Sequence, residues 1–321
     1  MSTKDSVLSF LRKSKIKHIS GEEISKHLSL SRTAIWKAIQ TLKEEGYKID
    51  ASPRLGYRLI QAPDLLLPLE IKQNLSTRIL GSEIHHFNEV GSTNNLAKDL
   101  ARRGAVEGTL VIAERQSLGK GRFGRHWVSP SGGLWFSLIL KPEILPLDAP
   151  KVTLLAGVAI TETIQKTLGL NARIKWPNDL LIDGKKVAGL LTEMSAEIDR
   201  VDFIILGIGI NVNVDITDFP RELRSKVTSL KEALSRKVDR IDFLKSLLVC
   251  LERYYLELKE GKTESILSRW KELNDTLGAY VKVSSLEEEI VGEALSLDEH
   301  GGLILRLESG EKRVIYSGEI C

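Results

Sequence analysis

The sequence predicts an α+β protein of three domains: a winged helix-turn-helix over residues 1–62, a mixed α/β domain over 63–275, and a small β-barrel of the SH3 kind over 276–321. Three changes of pattern along the chain predict it. Helical periodicity with a tight turn comes first, an irregular mixture of strand and helix patterns follows, and short strands separated by glycine turns end the sequence. A length of 321 residues agrees with two or three domains.

The N-terminal segment has the pattern of three helices and a hairpin. The predicted elements are a helix over 6–12, a second helix that begins at the capping box of residues 20–23, a third over 31–45, and a hairpin of 47–50 and 57–59 that forms the wing. In the third helix Ile35, Ile39 and Leu42 fall on one face, which leaves the opposite face available to a partner. The residues predicted to contact DNA are Arg32, Thr33, Trp36, Lys37 and Arg54.

Positive charge is concentrated in the first 60 residues. They hold 12 Lys and Arg against 6 Asp and Glu, whereas the rest of the chain holds 34 against 37. Such a local surplus is typical of a nucleic-acid-binding module. A helical protein-interaction domain is the alternative, and the basic wing tip at Arg54 argues against it.

The central segment mixes strands and helices after a linker at 61–68 that carries two prolines. Strands are predicted at 110–113, 134–140, 173–176, 180–182, 187–194 and 203–214, and helices at 94–102, 152–168 and 241–259. Several connections are too short for crossover helices, so the sheet is expected to be largely antiparallel or mixed. The C-terminal strands are predicted at 280–284, 289–297, 303–307 and 313–317.

Composition excludes several classes of protein. The longest apolar run, around residues 203–212, is shorter than the ~20 residues that a bilayer span needs. Charged residues interrupt the N-terminal segment, so no export signal is predicted and we expect a cytoplasmic protein with no membrane partner. The two cysteines, Cys250 and Cys321, form neither a disulfide framework nor a zinc ligand set, which fits a reducing compartment.

A glycine-rich, basic segment at 116–127 is the most informative part of the chain. It contains G-x-G-x-x-G, but a strand pattern rather than a helix follows it, which disfavours a dinucleotide-binding loop. Lys120, Arg122 and Arg125 lie among its glycines, and a loop of this kind is suited to wrapping around an anion. A flexible basic surface loop is the alternative.

Two further segments could carry chemistry. In 175–189 the dipeptide Asp183-Gly184 predicts a type I′ hairpin turn. Strand alternation then places Lys186 on one face with residues 188 and 190, and Lys185 on the other, so only one lysine can point inward. Two solvated charges at the hairpin tip are the alternative. The segment 207–213 is an apolar strand interrupted by glycines, which suits either a close ligand or a plain core strand.

These segments together resemble the bifunctional biotin protein ligases that carry an N-terminal biotin operon repressor domain. Segment 119–127 resembles the family's GRGRxGRxW loop, 175–189 its KWPND…K…AG segment, 207–213 its GIGIN strand, and 91–94 its STN turn. The resemblance covers essentially the whole chain, and the sequence departs from the family pattern at two points. Lys120 stands where the family often has Arg, and the chain ends at Cys321 where relatives often continue to an arginine near the nucleotide.

The resemblance implies a central domain of the biotin/lipoate ligase fold with a site for biotin, ATP and magnesium. Lys186 and Arg122 would be the catalytic residues, and Lys186 the inward lysine. The residues that would contact biotin or its adenylate are Ser92, Thr93, Asn94, Gln116, Lys120, Gly121, Arg122 and Lys186. The residues around the nucleotide would be Arg125, Trp127, Asn178, Asp179 and Asn211, with magnesium brought by ATP to the vicinity of Asp179 rather than held by the protein alone.

By the same resemblance the chain would join biotin to a lysine of a biotin carboxyl carrier protein domain, as in acetyl-CoA carboxylase, through biotinyl-5′-AMP. It would also repress biotin synthesis genes as a homodimer on operator DNA. Two alternatives stay open. A lipoyl or octanoyl ligase or transferase is disfavoured by the 119–127 loop and the winged domain. A ligand-sensing regulator without ligase activity is disfavoured by the intact Lys186, Arg122 and Asn178-Asp179.

Overall fold

The chain divides into two compact units, Met1–Leu65 and Leu66–Cys321. The structure, a computed structural model, describes residues 2–13, 17–285 and 288–320, so Cys321 lies outside the described residues. Helices and strands occur in both units, and the predicted α+β class is confirmed. The predicted domain boundaries at 62/63 and 275/276 stay predictions.

The first unit consists of three helices and a two-stranded wing. Its elements are α1 (Thr3–Lys13), α2 (Gly21–Leu28), α3 (Arg32–Glu44), β1 (Lys48–Ser52) and β2 (Gly56–Gln61). Both later helices begin at serine caps, because Ser20 Oγ accepts from the Glu23 amide at 3.0 Å and Ser31 Oγ from the Ala34 amide at 3.2 Å. The predicted winged helix-turn-helix is therefore present.

The two faces of α3 differ as predicted. Ile35, Ile39 and Leu42 are buried against α1 and α2, whereas Trp36 is 54% exposed. The other candidate DNA contacts Arg32, Thr33, Lys37 and Arg54 are also exposed. Within this unit Arg32 and Arg54 line one groove, and Arg32 forms an ion pair with Glu22 of α2 at 2.9 Å.

The second unit is built on a seven-stranded mixed sheet. Its strands are β3 (Ile84–Val90), β4 (Leu110–Gln116), β5 (Leu134–Leu140), β6 (Ala172–Lys175), β7 (Asp179–Ile182), β8 (Lys185–Ala196) and β9 (Val201–Ile210), in the order β3-β4-β5-β9-β8-β7-β6. The β3–β4 pair is parallel and the other pairs are antiparallel. The expectation of a largely antiparallel or mixed sheet is confirmed.

Helices cover both faces of this sheet. The helices are α4 (Pro68–Lys72), α5 (Thr93–Arg102), α6 (Pro150–Leu168), α7 (Leu230–Leu234), α8 (Arg240–Lys259) and α9 (Thr263–Leu273). Apolar residues alternate along β4, so Ile112 faces the main core with α6 while Val111 packs with Ala97 of α5. No helix in the described ranges is long and apolar enough to cross a membrane.

The C-terminal strands form a second, five-stranded antiparallel sheet. They are β10 (Tyr280–Ser284), β11 (Glu289–Leu297), β12 (Leu303–Arg306), β13 (Lys312–Ile315) and β14 (Glu319–Ile320), in the order β13-β12-β11-β10-β14. Val283, Leu303 and Leu305 of this sheet share one apolar core with α6 and the larger sheet. The small β-domain therefore packs directly on the central domain, and its last strand lies next to the candidate site.

Candidate functional site

One cavity of about 390 Å³ in the second unit collects the predicted small-molecule residues. Every residue named for biotin or nucleotide lines it: Ser92, Thr93, Asn94, Gln116, Lys120, Gly121, Arg122, Arg125, Trp127, Asn178, Asp179, Lys186 and Asn211. They come from five stretches of the chain, around residues 92–94, 116–127, 178–179, 186 and 211, and the sheet brings these stretches together. This convergence marks the cavity as the candidate site.

The start of α5 forms part of the cavity floor. Gln116 Oε1 accepts from the Thr93 amide at 2.8 Å and from Thr93 Oγ1 at 3.1 Å. Asn94 Nδ2 donates to Glu193 Oε2 at 2.9 Å, and Asn94 Oδ1 accepts from Ser137 Oγ at 2.6 Å. These side chains are held by several hydrogen bonds each, so the floor is ordered before any ligand binds.

The glycine-rich loop is a tight hairpin and no helix begins in it beyond a single 3₁₀ turn at Arg122–Gly124. The Trp127 amide donates to the Gly119 carbonyl at 2.9 Å, and the Gly121 amide to the Arg125 carbonyl at 2.7 Å. A Cβ at Gly119 would lie 2.3 Å from the Trp127 carbonyl oxygen, so only glycine fits there. The hairpin agrees with the sequence argument against a dinucleotide-binding loop.

Two of the three loop cations, Arg122 and Arg125, contact the C-terminal segment, whereas Lys120 Nζ donates to Asn95 Oδ1 at 2.6 Å. Arg122 Nη1 donates to the Gly318 carbonyl at 2.8 Å and Arg122 Nη2 to Ser317 Oγ at 3.0 Å, while Arg125 pairs with Glu319 at 2.6 Å. Burial lowers the pKa of Arg122 from its ordinary value, and the nearby Glu319 and Asp179 carboxylates act in the opposite direction. We call this set of contacts the C-terminal clasp.

The hairpin of β7 and β8, which we call the lysine hairpin because it carries Lys185 and Lys186, contains a bulge that was not predicted from the sequence. Asp183 and Gly184 both have positive φ, 49° and 73°, which confirms the type I′ turn. Farther along, Leu180 pairs with Ala188 but Leu181 pairs with Lys186, so residue 187 is an extra residue in β8. The predicted face shared by Lys186 with residues 188 and 190 is therefore wrong, because the bulge reverses the alternation.

The bulge turns Lys186 toward the cavity. Its Nζ lies 2.7 Å from Asp179 Oδ1 and 5.0 Å from the centroid of the Trp127 ring, whereas Lys185 is exposed. A Cβ at Gly189 would contact Lys186 Cε at 3.4 Å, which places both residues on the same side of β8. Of the two lysines, the structure brings Lys186 into the cavity.

Trp127 lies flat against two glycines of the sheet. A Cβ at Gly209 would lie 2.5 Å from Trp127 Nε1, and one at Gly189 would lie 2.8 Å from the same ring. The indole N–H is buried without a hydrogen-bond partner in the described part of the chain, and so is Asn211 Oδ1. Buried polar atoms are almost always paired, and these two leave unused hydrogen-bonding capacity at the cavity wall.

Sequence reasoning missed several residues that build the site. Ser129, Ser137 and Glu193 hold the floor side chains by hydrogen bonds. Phe219 and Val227 pack around Trp127 and Trp135 in a small apolar cluster on the cavity wall. The spacing of apolar residues at 219, 223 and 227 is a signal that could have identified this wall.

The carboxylates of the cavity are too few to hold a metal ion alone. Within residues 2–13, 17–285 and 288–320, no group of three His, Cys, Asp or Glu side chains could do so. Two carboxylates line the cavity, Glu319, which pairs with Arg125, and Asp179, which lies beside Lys186. That donor set fits magnesium shared with phosphate oxygens.

Three sequence profiles match this chain. The biotin/lipoate A/B protein ligase family matches residues 87–211, an HTH domain residues 3–58, and the biotin protein ligase C terminal domain residues 276–321. Bifunctional ligase/repressor BirA of Bacillus subtilis strain 168 is 43% identical over 303 residues, which cover 94% of this chain and 93% of the relative. The protein of the same name from Escherichia coli K12 is 33% identical, with coverages of 94% and 92%.

Solved structures agree with these relatives. The biotin protein ligase from Aquifex aeolicus in complex with biotin and ATP matches 75% of this chain and 98% of its own, with a TM-score of 0.65 and 31% identity. The apo structure of that ligase gives a TM-score of 0.62 at 29% identity, covering 74% of this chain and 97% of its own. The resemblance read from the motifs is confirmed, and the chain belongs to the family of bifunctional biotin ligase/repressor proteins.

Proposed function

We propose that this protein activates biotin with ATP and transfers it to a lysine of a biotin carboxyl carrier protein domain, such as that of acetyl-CoA carboxylase. One observation carries the proposal: every residue that the family resemblance assigns to biotin or nucleotide lines one cavity, which also holds the unpaired Trp127 Nε1 and Asn211 Oδ1. The cavity is small and lined by both polar and apolar groups, as expected of a small-molecule site.

The first half-reaction joins two anions. The biotin carboxylate oxygen attacks the α-phosphorus of ATP, an O–P bond forms to give biotinyl-5′-AMP, and the bond to pyrophosphate breaks. Two like charges 4 Å apart repel by about 4 kcal/mol at an effective dielectric of 20. The side chains of Lys186 and Arg122 offset this repulsion and stabilise the charge that develops in the transition state. Magnesium bound by Asp179 and the phosphates would supply further positive charge to the phosphate oxygens.

The second half-reaction needs no nucleophile from this chain. The carrier lysine amine attacks the carbonyl carbon of the mixed anhydride, an amide forms, and AMP leaves with the electron pair of the broken C–O bond. The 119–127 loop covers the intermediate and keeps water from it. The residues of the site therefore bind, orient and shield the reactants, and Lys186 and Arg122 stabilise the negative charge.

Incubation with biotin, ATP and magnesium tests the ligase proposal. We expect pyrophosphate release and a bound species with the mass of biotinyl-5′-AMP, followed by biotinylation of an added carrier domain. Lipoate and octanoate are the controls. Adenylation of either of these, with none of biotin, would identify a lipoyl or octanoyl ligase, and binding of biotin without pyrophosphate release would identify a regulator without ligase activity.

The first unit is proposed to bind operator DNA as part of a homodimer. One winged helix-turn-helix buries about 600–1,000 Å² on DNA, so a single copy binds a specific site weakly, whereas a two-fold dimer presents two copies of α3 to a palindrome. The exposed side chains of α3 and the wing supply the contacts, and the surplus of positive charge in the first 60 residues supports them. The cysteine content supports a cytoplasmic location for both activities.

Fluorescence anisotropy with DNA from upstream of biotin genes tests repression. If biotinyl-5′-AMP favours the dimer, it must also tighten DNA binding, and by linkage DNA must tighten the dimer. We expect steep, salt-sensitive binding when biotin and ATP are both present. Equal affinity with and without the adenylate would leave a ligase with an unregulated DNA-binding domain. Lys37→Ala should weaken DNA binding and leave adenylation unchanged.

A further inference from the structure

We propose that Ser129 is a positioning residue that restrains the nitrogen end of the Gln116 side-chain amide and connects it to the glycine-rich loop. The inference rests on the proposed function, because it takes biotin as the ligand that this cavity binds. Gln116 lines the cavity directly, whereas Ser129 lies behind it and is 3% exposed. Ser129 therefore acts through Gln116 and not by touching the ligand.

The orientation of the Gln116 amide follows from one unambiguous donor. The backbone N–H of Thr93 can only donate, and it lies 2.8 Å from one atom of the Gln116 amide. That atom must be the oxygen. The nitrogen, Nε2, then faces Ser129 Oγ at 2.9 Å. The orientation is thus set at the oxygen end by the Thr93 N–H, and the Ser129 hydroxyl, which can accept, restrains the nitrogen end.

Ser129 also connects the Gln116 side chain to the glycine-rich loop. Because its hydroxyl oxygen accepts from Gln116 Nε2, the hydroxyl proton is free to donate, and it points to the Trp127 carbonyl at 3.0 Å. The backbone connects the same two residues, since the backbone N–H of Gln116 donates to the Ser129 carbonyl at 3.1 Å. A directed chain of hydrogen bonds therefore runs from the start of α5, through Gln116 and Ser129, to the residue whose indole lies on Gly209.

The chain of hydrogen bonds defines what the cavity offers to its ligand. Gln116 Oε1 is occupied by Thr93 and one Nε2 hydrogen is occupied by Ser129, so the amide presents its second N–H hydrogen, a donor for an acceptor on the ligand. Without the Ser129 hydroxyl the Gln116 side-chain amide loses one of its three hydrogen bonds, and the Trp127 carbonyl loses the hydrogen bond from Ser129. Biotin recognition and loop order should then weaken together.

Calorimetry with biotin, with pyrophosphate release in parallel, tests this role. Ser129→Ala should raise the Kd for biotin about tenfold, the size expected for one lost neutral hydrogen bond, and should leave kcat within about threefold. The matched control is Ser131→Ala, because Ser131 is exposed two residues farther along and should not alter the Kd. Combining Ser129→Ala with Gln116→Ala provides the decisive measurement, since a residue that acts through Gln116 should add less than about twofold in that background.

An unchanged Kd in Ser129→Ala, or an additive tenfold loss in the double variant, would overturn the inference. The unfolding midpoint of each variant shows whether the fold survives, and Ser129→Cys, which keeps a weak donor and acceptor, should give an intermediate Kd if the alanine variant does not fold. A wild-type protein that binds biotin without releasing pyrophosphate would refute the proposed ligase activity alone, because the Kd comparison would still decide the role of Ser129.

Discussion

Replacing Lys186 by alanine should slow adenylate formation by about 10²–10³ while the fold survives. The lysine ammonium has a defined position, 2.7 Å from Asp179 Oδ1 and 5.0 Å from the Trp127 ring, and its side chain is 30% exposed. A unit charge 4 Å from a developing negative charge contributes about 4 kcal/mol at an effective dielectric of 20, which is about 10³ in rate. Partial exposure lets solvent screen part of this interaction, which gives the lower end of the range.

Pyrophosphate release under saturating biotin and ATP measures the effect, and Lys185→Ala is the matched control. Lys185 precedes Lys186 in the same strand but is exposed, so its loss should change the rate by less than about twofold. Equal losses in both variants, or no loss in either, would refute the reasoning that the bulge at residue 187 selects Lys186. An unchanged unfolding midpoint in both variants would assign the difference to the chemistry.

Three more outcomes are expected. Gly209→Ala should raise the KM for ATP at least tenfold by displacing Trp127, whereas Gly157→Ala, whose Cβ would meet nothing closer than 3.6 Å, should leave it unchanged. Burial raises the pKa of Glu162, but three cationic partners lower it by more, to about 2. This carboxylate therefore adds about 3 kcal/mol of stability above pH 5, and that contribution is lost as the pH falls toward 2. Acid unfolding of Glu162→Gln should accordingly depend less on pH than that of the wild type. Tryptic cleavage within 115–127 should slow when biotin and ATP bind, and unchanged cleavage would exclude closure of the loop.

Strong periodicity made much of the fold predictable. Tyr280–Ser284 and Glu289–Leu297 have the predicted bounds, because the alternation of apolar and polar residues along both strands leaves little freedom in placing them. Ile84–Val90 was missed, since its histidines and Asn88 interrupt the apolar pattern at the edge of the sheet. The helix Thr263–Leu273 was also missed, because few apolar residues mark its buried side.

The candidate site was predictable where a motif is contiguous. The 119–127 loop and the lysine hairpin were found from short segments, and the cavity brings their residues together. The bulge in β8 was not predictable from alternation, because an added residue depends on the pairing of two strands. Ser137 and Glu193 look like ordinary polar residues in a strand, and only the packing of α5 on the sheet brings them to Asn94.

The C-terminal clasp has a practical consequence for anyone who expresses this protein. Glu319 holds Arg125, and Ile320 lines the cavity itself. A purification tag or reporter fused after these residues would therefore begin at the rim of the cavity. Its side chains would compete there with Glu319 for the arginines of the loop. Kinetic and binding constants should be measured on protein whose C-terminal residues carry no extension, with any tag placed at the other end of the chain.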